Sequence, residues 1–249
     1  MRNKVIACSV GALCHTVFLL AISAMAYMLF YGLTRGLLPL QHFGRVTNAA
    51  LLVQFPVFHS FFLSRRGRAI LAAPFPKEIG ANMQTTTFGL IASIQLLAVF
   101  LFWVPEGSIW YAPKGNLLVA WTVVYVASWL LLARALAEAG LAMQTGYLGW
   151  RSVVANQRPQ YPKPRFEGLH RMCRHPIYLS FALVILTAPV WGVDHVMLAL
   201  VWVTYCMVGP RLKEKRFLAY YGDEYERYRE RTPYLIPRIP FLRAWTARR

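Results

Sequence analysis

The chain has 249 residues, 57% of them hydrophobic, and a net charge of +17. A soluble basic protein dilutes its charges over the whole sequence, whereas here the Lys and Arg sit in short blocks between long uncharged runs. That segregation excludes a soluble nucleic-acid binder and predicts an integral membrane protein.

The first uncharged run, residues 5–34, is too long for the roughly 7–15-residue core of a signal peptide and has no small-residue cleavage site. It is read as a spanning helix. Residues 46–64 form the second run, which Pro56 is expected to kink. His15 and His59 lie inside these two segments, where a polar ring is costly. Hydrogen bonding to a neighbouring helix is the plain account of both; haem ligation is the alternative. Asn48, Gln54, Gln84 and Gln95 are expected to join helices. Residues 65–78 read as a basic, proline-containing loop along the membrane surface, where anionic lipid attracts Lys and Arg.

Residues 79–105 and 115–133 complete four runs that each reach the roughly 18 residues of a spanning helix. Residues 177–193 and 195–210, separated only by Asp194, read as a tight helical hairpin. With six crossings and a cytoplasmic N-terminus, 24 of the 27 Lys and Arg fall on the inner side, leaving only Arg35, Arg45 and Lys114 outside. This asymmetry predicts that both termini are cytoplasmic. Cys8, Cys14, Cys173 and Cys206 show no metal-type spacing and read as inert thiols, although Arg174 beside Cys173 would favour its thiolate. No metal is expected.

The second half changes character. Residues 144–175 are polar, Pro-rich and aromatic, and end in Arg174-His175-Pro176-Ile177-Tyr178 at the re-entry to the bilayer. Pro176 suits the first turn of a helix, where its missing N–H costs nothing. After the hairpin, Glu214, Phe217, Leu218 and Tyr221 recur at helical spacing. Gly222 is expected to end that helix and Asp223 to cap the next, with Tyr225 and Tyr228 on one face. Pro233, Pro237 and Pro240 exclude long helix beyond. Lys215, Arg216, Arg229, Arg231, Arg248 and Arg249 read as a belt for acidic phospholipid.

The hairpin returns this tail to the side of loop 144–175, so their charged and aromatic residues converge on one cytosolic pocket. Arg151 and Arg174, the ring of His175, the carboxylate of Glu214 and several phenols suit a ligand with a carboxylate, an ammonium or sulfonium and an aromatic base. Glycine-rich phosphate loops and G-x-S-x-G are absent.

Arg174-His175-Pro176-x-Tyr178, the hairpin, Glu214, Tyr221-Gly222-x-x-Tyr225-x-x-Tyr228 and Ile236-Pro237 resemble the isoprenylcysteine carboxyl methyltransferase superfamily over residues 144–238. Phe58-His59-Ser60, Gln84-Thr85-Thr86-Thr87 and Phe102-Trp103-x-Pro105 resemble its methanethiol S-methyltransferase branch. The pattern departs from the superfamily at Lys213, where a second acid is usual, and at Ser180, where Gly is commoner. The resemblance implies a bundle of four transmembrane helices plus a C-terminal hairpin, in a bacterial inner membrane. Residues 1–140 would serve the acceptor, and residues 141–249 would form the methyltransferase half.

The implied cofactor is S-adenosylmethionine. Arg174, His175, Pro176, Tyr178, Glu214, Tyr221 and Tyr225 are expected to bind it, with Arg151 and Glu214 in catalytic roles. The expected acceptor is a small thiol, giving a thioether. The alternatives are an isoprenylcysteine carboxylate, a phospholipid headgroup or a non-enzymatic lipid-binding scaffold. Membrane lipids are the other expected partners, with no nucleic acid and no obligate protein.

Overall fold

The computed structural model describes residues 1–37, 44–162 and 164–237. In chain order the elements are α1 (Arg2–Phe30), α2 (Gly44–Phe62), α3 (Arg65–Ala72), α4 (Lys77–Leu101), β1 (Ile109–Tyr111) and α5 (Gly115–Glu138). Three short helices follow: α6 (Leu141–Gln144), α7 (Tyr147–Val154) and α8 (Leu169–Met172). The chain continues through α9 (Pro176–Leu186), β2 (Trp191–Gly192), α10 (Val193–Val208) and α11 (Pro210–Arg231). The protein is an all-α integral membrane bundle. Pro240, Arg248 and Arg249 lie outside the described residues.

Length and composition make α1, α4, α5 and the run from α10 into α11 capable of crossing a membrane, and the bent pair α2–α3 adds a fifth. The bend in that pair is 89° and does not fall at Pro56, through which α2 continues. It comes at Ser64, whose side chain accepts a hydrogen bond from the Gly67 N–H at 3.1 Å and so starts a new helix. The segment expected to be a loop at 65–78 is therefore largely α3 followed by the first residues of α4.

The hairpin arms are unequal. α9 has 11 residues, about 16 Å of helix at 1.5 Å per residue, and cannot cross the roughly 30 Å core alone. Beyond it the chain leaves helix and reaches β2, which pairs antiparallel with β1 in the connection between α4 and α5. The hairpin turn is thus fastened to the face of the bundle opposite the basic loops. Asp194, fully buried there, accepts from the Trp103 indole N–H at 3.0 Å and from the backbone N–H groups of Glu106 and Gly107.

One apolar core joins both halves of the chain: Met25, Leu29, Phe100 and Trp103 pack in the same cluster as Ile185, Leu198 and Trp202. Polar ties cross it. The Asn48 amide donates to the Val104 carbonyl at 2.7 Å and accepts from the Val104 N–H at 3.0 Å. Gln54 and Gln95 bond to one another at 2.8 Å. His15 accepts from the Trp150 indole at 3.1 Å, which is the interhelical bond expected of it.

Close backbone approach fixes α7 against α1 and α4. The Thr86 hydroxyl donates to the Gly146 carbonyl at 2.7 Å and accepts from the Trp150 N–H at 2.8 Å. A Cβ on Gly149 would come within 2.5 Å of Thr86 Oγ1 and 2.7 Å of the Asn82 carbonyl. Gly149→Ala is therefore expected to destabilise the protein by about 1–3 kcal/mol through overpacking, read as a lowered melting temperature in detergent.

Candidate functional site

The element that gathers the site is α11, which starts at Pro210 directly after α10 and turns the chain back toward residues 168–178. Helical dihedrals break at Gly222 (φ 48°, ψ −127°), so the expected stop is observed at that residue. The first half of α11 presents Glu214 and the second presents Tyr225 and Tyr228.

Opposite α11, the segment before α9 is tied down at several points. The Glu138 carboxylate, at the end of α5, accepts from the Leu169 N–H at 2.8 Å and pairs with Arg134 at 2.8 Å. The Tyr228 hydroxyl donates to the His170 carbonyl at 2.6 Å. The Arg174 N–H donates to the Pro233 carbonyl at 2.9 Å, and the Arg174 guanidinium donates to the Arg229 carbonyl at 3.3 Å. Pro176 occupies the first turn of α9 as expected, which leaves His175 at its N-terminal boundary.

These ties converge on one carboxylate oxygen. Glu214 Oε1 lies 2.8 Å from His175 Nε2 and 3.2 Å from Arg174 Nε. Glu214 is 9% exposed and His175 is 1% exposed. Aromatic rings wall the cluster: Tyr234 meets His175 edge-on at 4.9 Å and lies 5.4 Å beneath the Arg174 guanidinium. Tyr178 meets His175 at 6.0 Å, and Tyr225 packs on Phe217 and Tyr228 at 5.4 and 5.8 Å.

Burial first, and then the charges of Lys213 and Arg174, push His175 down to about 3, so it is a neutral imidazole at neutral pH. Its Nε2–H then donates to Glu214, which leaves Nδ1 a lone-pair acceptor. Nδ1 is buried without a hydrogen-bond partner among the described residues, and so is Arg174 Nε despite its ion pair. Cys173 does not follow the thiolate expectation: burial raises its pKa, and neighbouring Arg174 does not reverse that.

Comparison with known proteins places the chain among methyltransferases. Methanethiol S-methyltransferase 1 of Bradyrhizobium diazoefficiens is 30% identical over 201 residues, covering 77% of this chain and 66% of that protein. Methanethiol S-methyltransferase of Crocosphaera subtropica is 28% identical over 196 residues, covering 77% and 74%. The Mycobacterium tuberculosis protein of the same name is 27% identical over 198 residues, covering 77% and 78%. The chain belongs to the methanethiol S-methyltransferase branch of the isoprenylcysteine carboxyl methyltransferase superfamily. It spans about two-thirds of the length of the Bradyrhizobium relative. No family model and no solved structure matches it.

Among the residues expected from the superfamily pattern, Arg174, His175, Pro176, Tyr178, Glu214 and Tyr225 come together. Tyr221 does not join them; it is exposed and packs on Phe217 and Tyr220. Arg151 is also apart, exposed on α7, and makes no ion pair among the described residues. An apolar cavity of about 510 Å³ lined by His15, Phe18, Leu19, Leu141 and Tyr147 lies against α1 and shares no residue with the cluster.

Tyr234 was not anticipated. Its position just after Pro233 and before Ile236-Pro237 gave only the cue of an aromatic in a proline-rich tail. Glu138 and His170 were missed as well. The Arg134–Glu138 spacing marks an i,i+4 ion pair, but the contacts that bring them to the site, Glu138 to the Leu169 N–H and Tyr228 to the His170 carbonyl, involve backbone groups that no side-chain pattern marks. The basic belt read into α11 is also divided: Lys215 and Arg231 are exposed, Arg229 pairs with Glu226 at 2.9 Å, and Arg216 is half-buried.

Burial likewise lowers His170 to about 4. Both rings resist protonation in the folded state, whereas in the unfolded chain they titrate near the ordinary value of about 6.5. Their contribution to stability is therefore complete above about pH 6.5 and is lost as pH falls from there toward 4 and then 3. The melting temperature should fall over that interval, and His170→Gln/His175→Gln should flatten the fall.

Proposed function

We propose that this protein is an integral membrane methyltransferase that moves a methyl group from S-adenosylmethionine to a small thiol, of which methanethiol is the type. In this reading it resides in a bacterial inner membrane with both termini cytoplasmic, as the distribution of Lys and Arg favours. The observation that carries the reading is the shared pairing of Glu214 Oε1 with His175 and Arg174 at the mouth of a tyrosine-rich tail.

The residues present fit such a cofactor. Arg174 Nε and His175 Nδ1 are buried polar atoms without hydrogen-bond partners among the described residues, and they suit a polar ligand. Arg174 and His175 would hold its carboxylate and ribose region. Glu214 would face its amino group through Oε2, which carries no hydrogen bond among the described residues. Tyr178 and Tyr225 would line the base or sulfonium, where an aromatic face attracts a cation. When bound, the cofactor supplies an already activated methyl group for an in-line displacement.

What remains for the protein is to align the acceptor and exclude water. Glu214 orients His175 and Arg174; the tyrosine rings close the site to solvent; the apolar helices of the first half admit an acceptor that partitions into the bilayer. The names of the relatives support a thiol over the other acceptor classes.

Purified protein incubated with labelled S-adenosylmethionine and separate acceptors (methanethiol, longer thiols, a farnesyl-cysteine analogue, phospholipid) tests the reading. Label should appear in dimethyl sulfide and in the thioethers of short thiols. Glu214→Gln should weaken cofactor binding about tenfold to a hundredfold, the worth of one charge-assisted hydrogen bond, measured by calorimetry. Unchanged binding in that variant would remove Glu214 from the site.

A further inference from the structure

A second cluster adjoins the one that holds Arg174 and His175, and it is built from the first half of the chain as well as the second. Tyr178 is the wall between them. Its ring contacts His175 at 6.0 Å on one side and Tyr205 of α10 at 6.3 Å on the other. Tyr205 in turn bonds to Ser60 of α2, hydroxyl to hydroxyl, at 3.3 Å.

Beside Ser60 stands His59, packed between Phe55 at 5.3 Å and Phe88 of α4 at 4.8 Å. Its Nδ1 is buried and has no hydrogen-bond partner among the described residues. Arg216, from the first half of α11, lies within electrostatic reach of His59, Tyr178 and Tyr205.

An intramembrane imidazole nitrogen with no partner costs free energy that folding alone does not repay. Here it is enclosed by the rings of Phe55 and Phe88, on the same helix as Ser60, whose hydroxyl bonds to Tyr205 and so leads through Tyr178 to His175. Aromatic walls suit the alkyl group of a short thiol and make favourable contacts with sulfur. A cation suits sulfur that gains negative charge.

We infer that His59, Ser60, Tyr178, Tyr205 and Arg216 form the acceptor site, with His59 Nδ1 as the base that takes the thiol proton and Arg216 facing the sulfur. The inference rests on the proposed methyl transfer to a thiol and assigns its acceptor half. In the step, the acceptor sulfur forms a bond to the methyl carbon as the methyl–sulfonium bond breaks, its electron pair staying on the donor sulfur. The thiol proton passes to His59 Nδ1 and then to solvent. The neutral imidazole takes the proton as the S–C bond forms, and Arg216 stabilises the partial negative charge that the sulfur carries until that bond is complete. Arg216 replaces Arg151 as the cation for the acceptor, since Arg151 stands exposed on α7.

The test uses the full-length protein in detergent, with methanethiol as acceptor and S-adenosylhomocysteine binding by calorimetry as a readout independent of turnover. His59→Ala should lower kcat/KM for methanethiol about 100-fold, within the usual contribution of a general base, with S-adenosylhomocysteine affinity unchanged. The loss should shrink as pH rises toward the thiol's own ionisation, where solvent supplies thiolate. His59→Asn, which keeps a polar group of similar reach, should show the same pH-dependent loss and serves where the alanine variant fails to fold. Arg216→Gln should raise KM for the thiol more than it lowers kcat.

Wild-type turnover retained in both His59 variants, or a loss of equal size at every pH, overturns the assignment while leaving the methyltransferase reading standing. Absence of transfer to any thiol by the wild-type protein overturns both.

Discussion

Glu214 is a buried carboxylate that joins two parts of the chain, the start of α9 and α11. A buried acid is tolerated when its charge is matched and its lone pairs are used, and here one oxygen answers both Arg174 and His175. Removing that oxygen would leave a guanidinium and an imidazole buried together without their common partner, next to a third basic residue, Lys213. The pairing therefore holds the start of α9 against α11 and at the same time fixes which ring nitrogen of His175 remains free. Stability and the chemistry of the site draw on the same atom.

Backbone hydrogen bonds make that pairing geometrically exact enough to matter. The Arg174 N–H reaches Pro233, the Arg174 side chain reaches the Arg229 carbonyl and Tyr228 reaches the His170 carbonyl. Glu138 joins the end of α5 to Leu169, so the membrane bundle and the polar segment that follows it are anchored together. On the opposite face, the β1–β2 pairing and Asp194 fasten the hairpin turn. The hairpin is thus held at both ends, which sets the position of α11 relative to α9.

Division of labour follows from this arrangement. The polar second half supplies charged groups at the bundle's basic face, where they can be matched and solvated. The apolar helices contribute few polar atoms, and most are consumed in interhelical bonds, as with Asn48, Gln54, Gln95 and His15. His59 Nδ1 has no such bond among the described residues, nor do Trp129 Nε1 and His195 Nδ1. His15 is engaged by Trp150, whereas His59 is packed between Phe55 and Phe88 and neighbours Ser60, which reaches Tyr205; that is what makes α2 relevant to function.

Uncharged run length and the confinement of Lys and Arg were enough to determine the membrane class, the apolar segments and the hairpin, because both reflect the cost of placing charge in hydrocarbon. Residue type and spacing likewise determined that Arg174, His175 and Glu214 belong together, and that Gly222 interrupts α11. The sequence did not reveal where the second helix bends, since a capping serine outweighed the proline that seemed to mark the place. Nor did it distinguish Arg216 from its basic neighbours or Arg151 from Arg174, because which side of a helix faces a pocket depends on packing. The place of Tyr234, the Glu138 contact with Leu169 and the packing of His59 on Phe88 were decided by tertiary structure alone: these partners are backbone groups and rings distant in the chain, which leave no periodic trace.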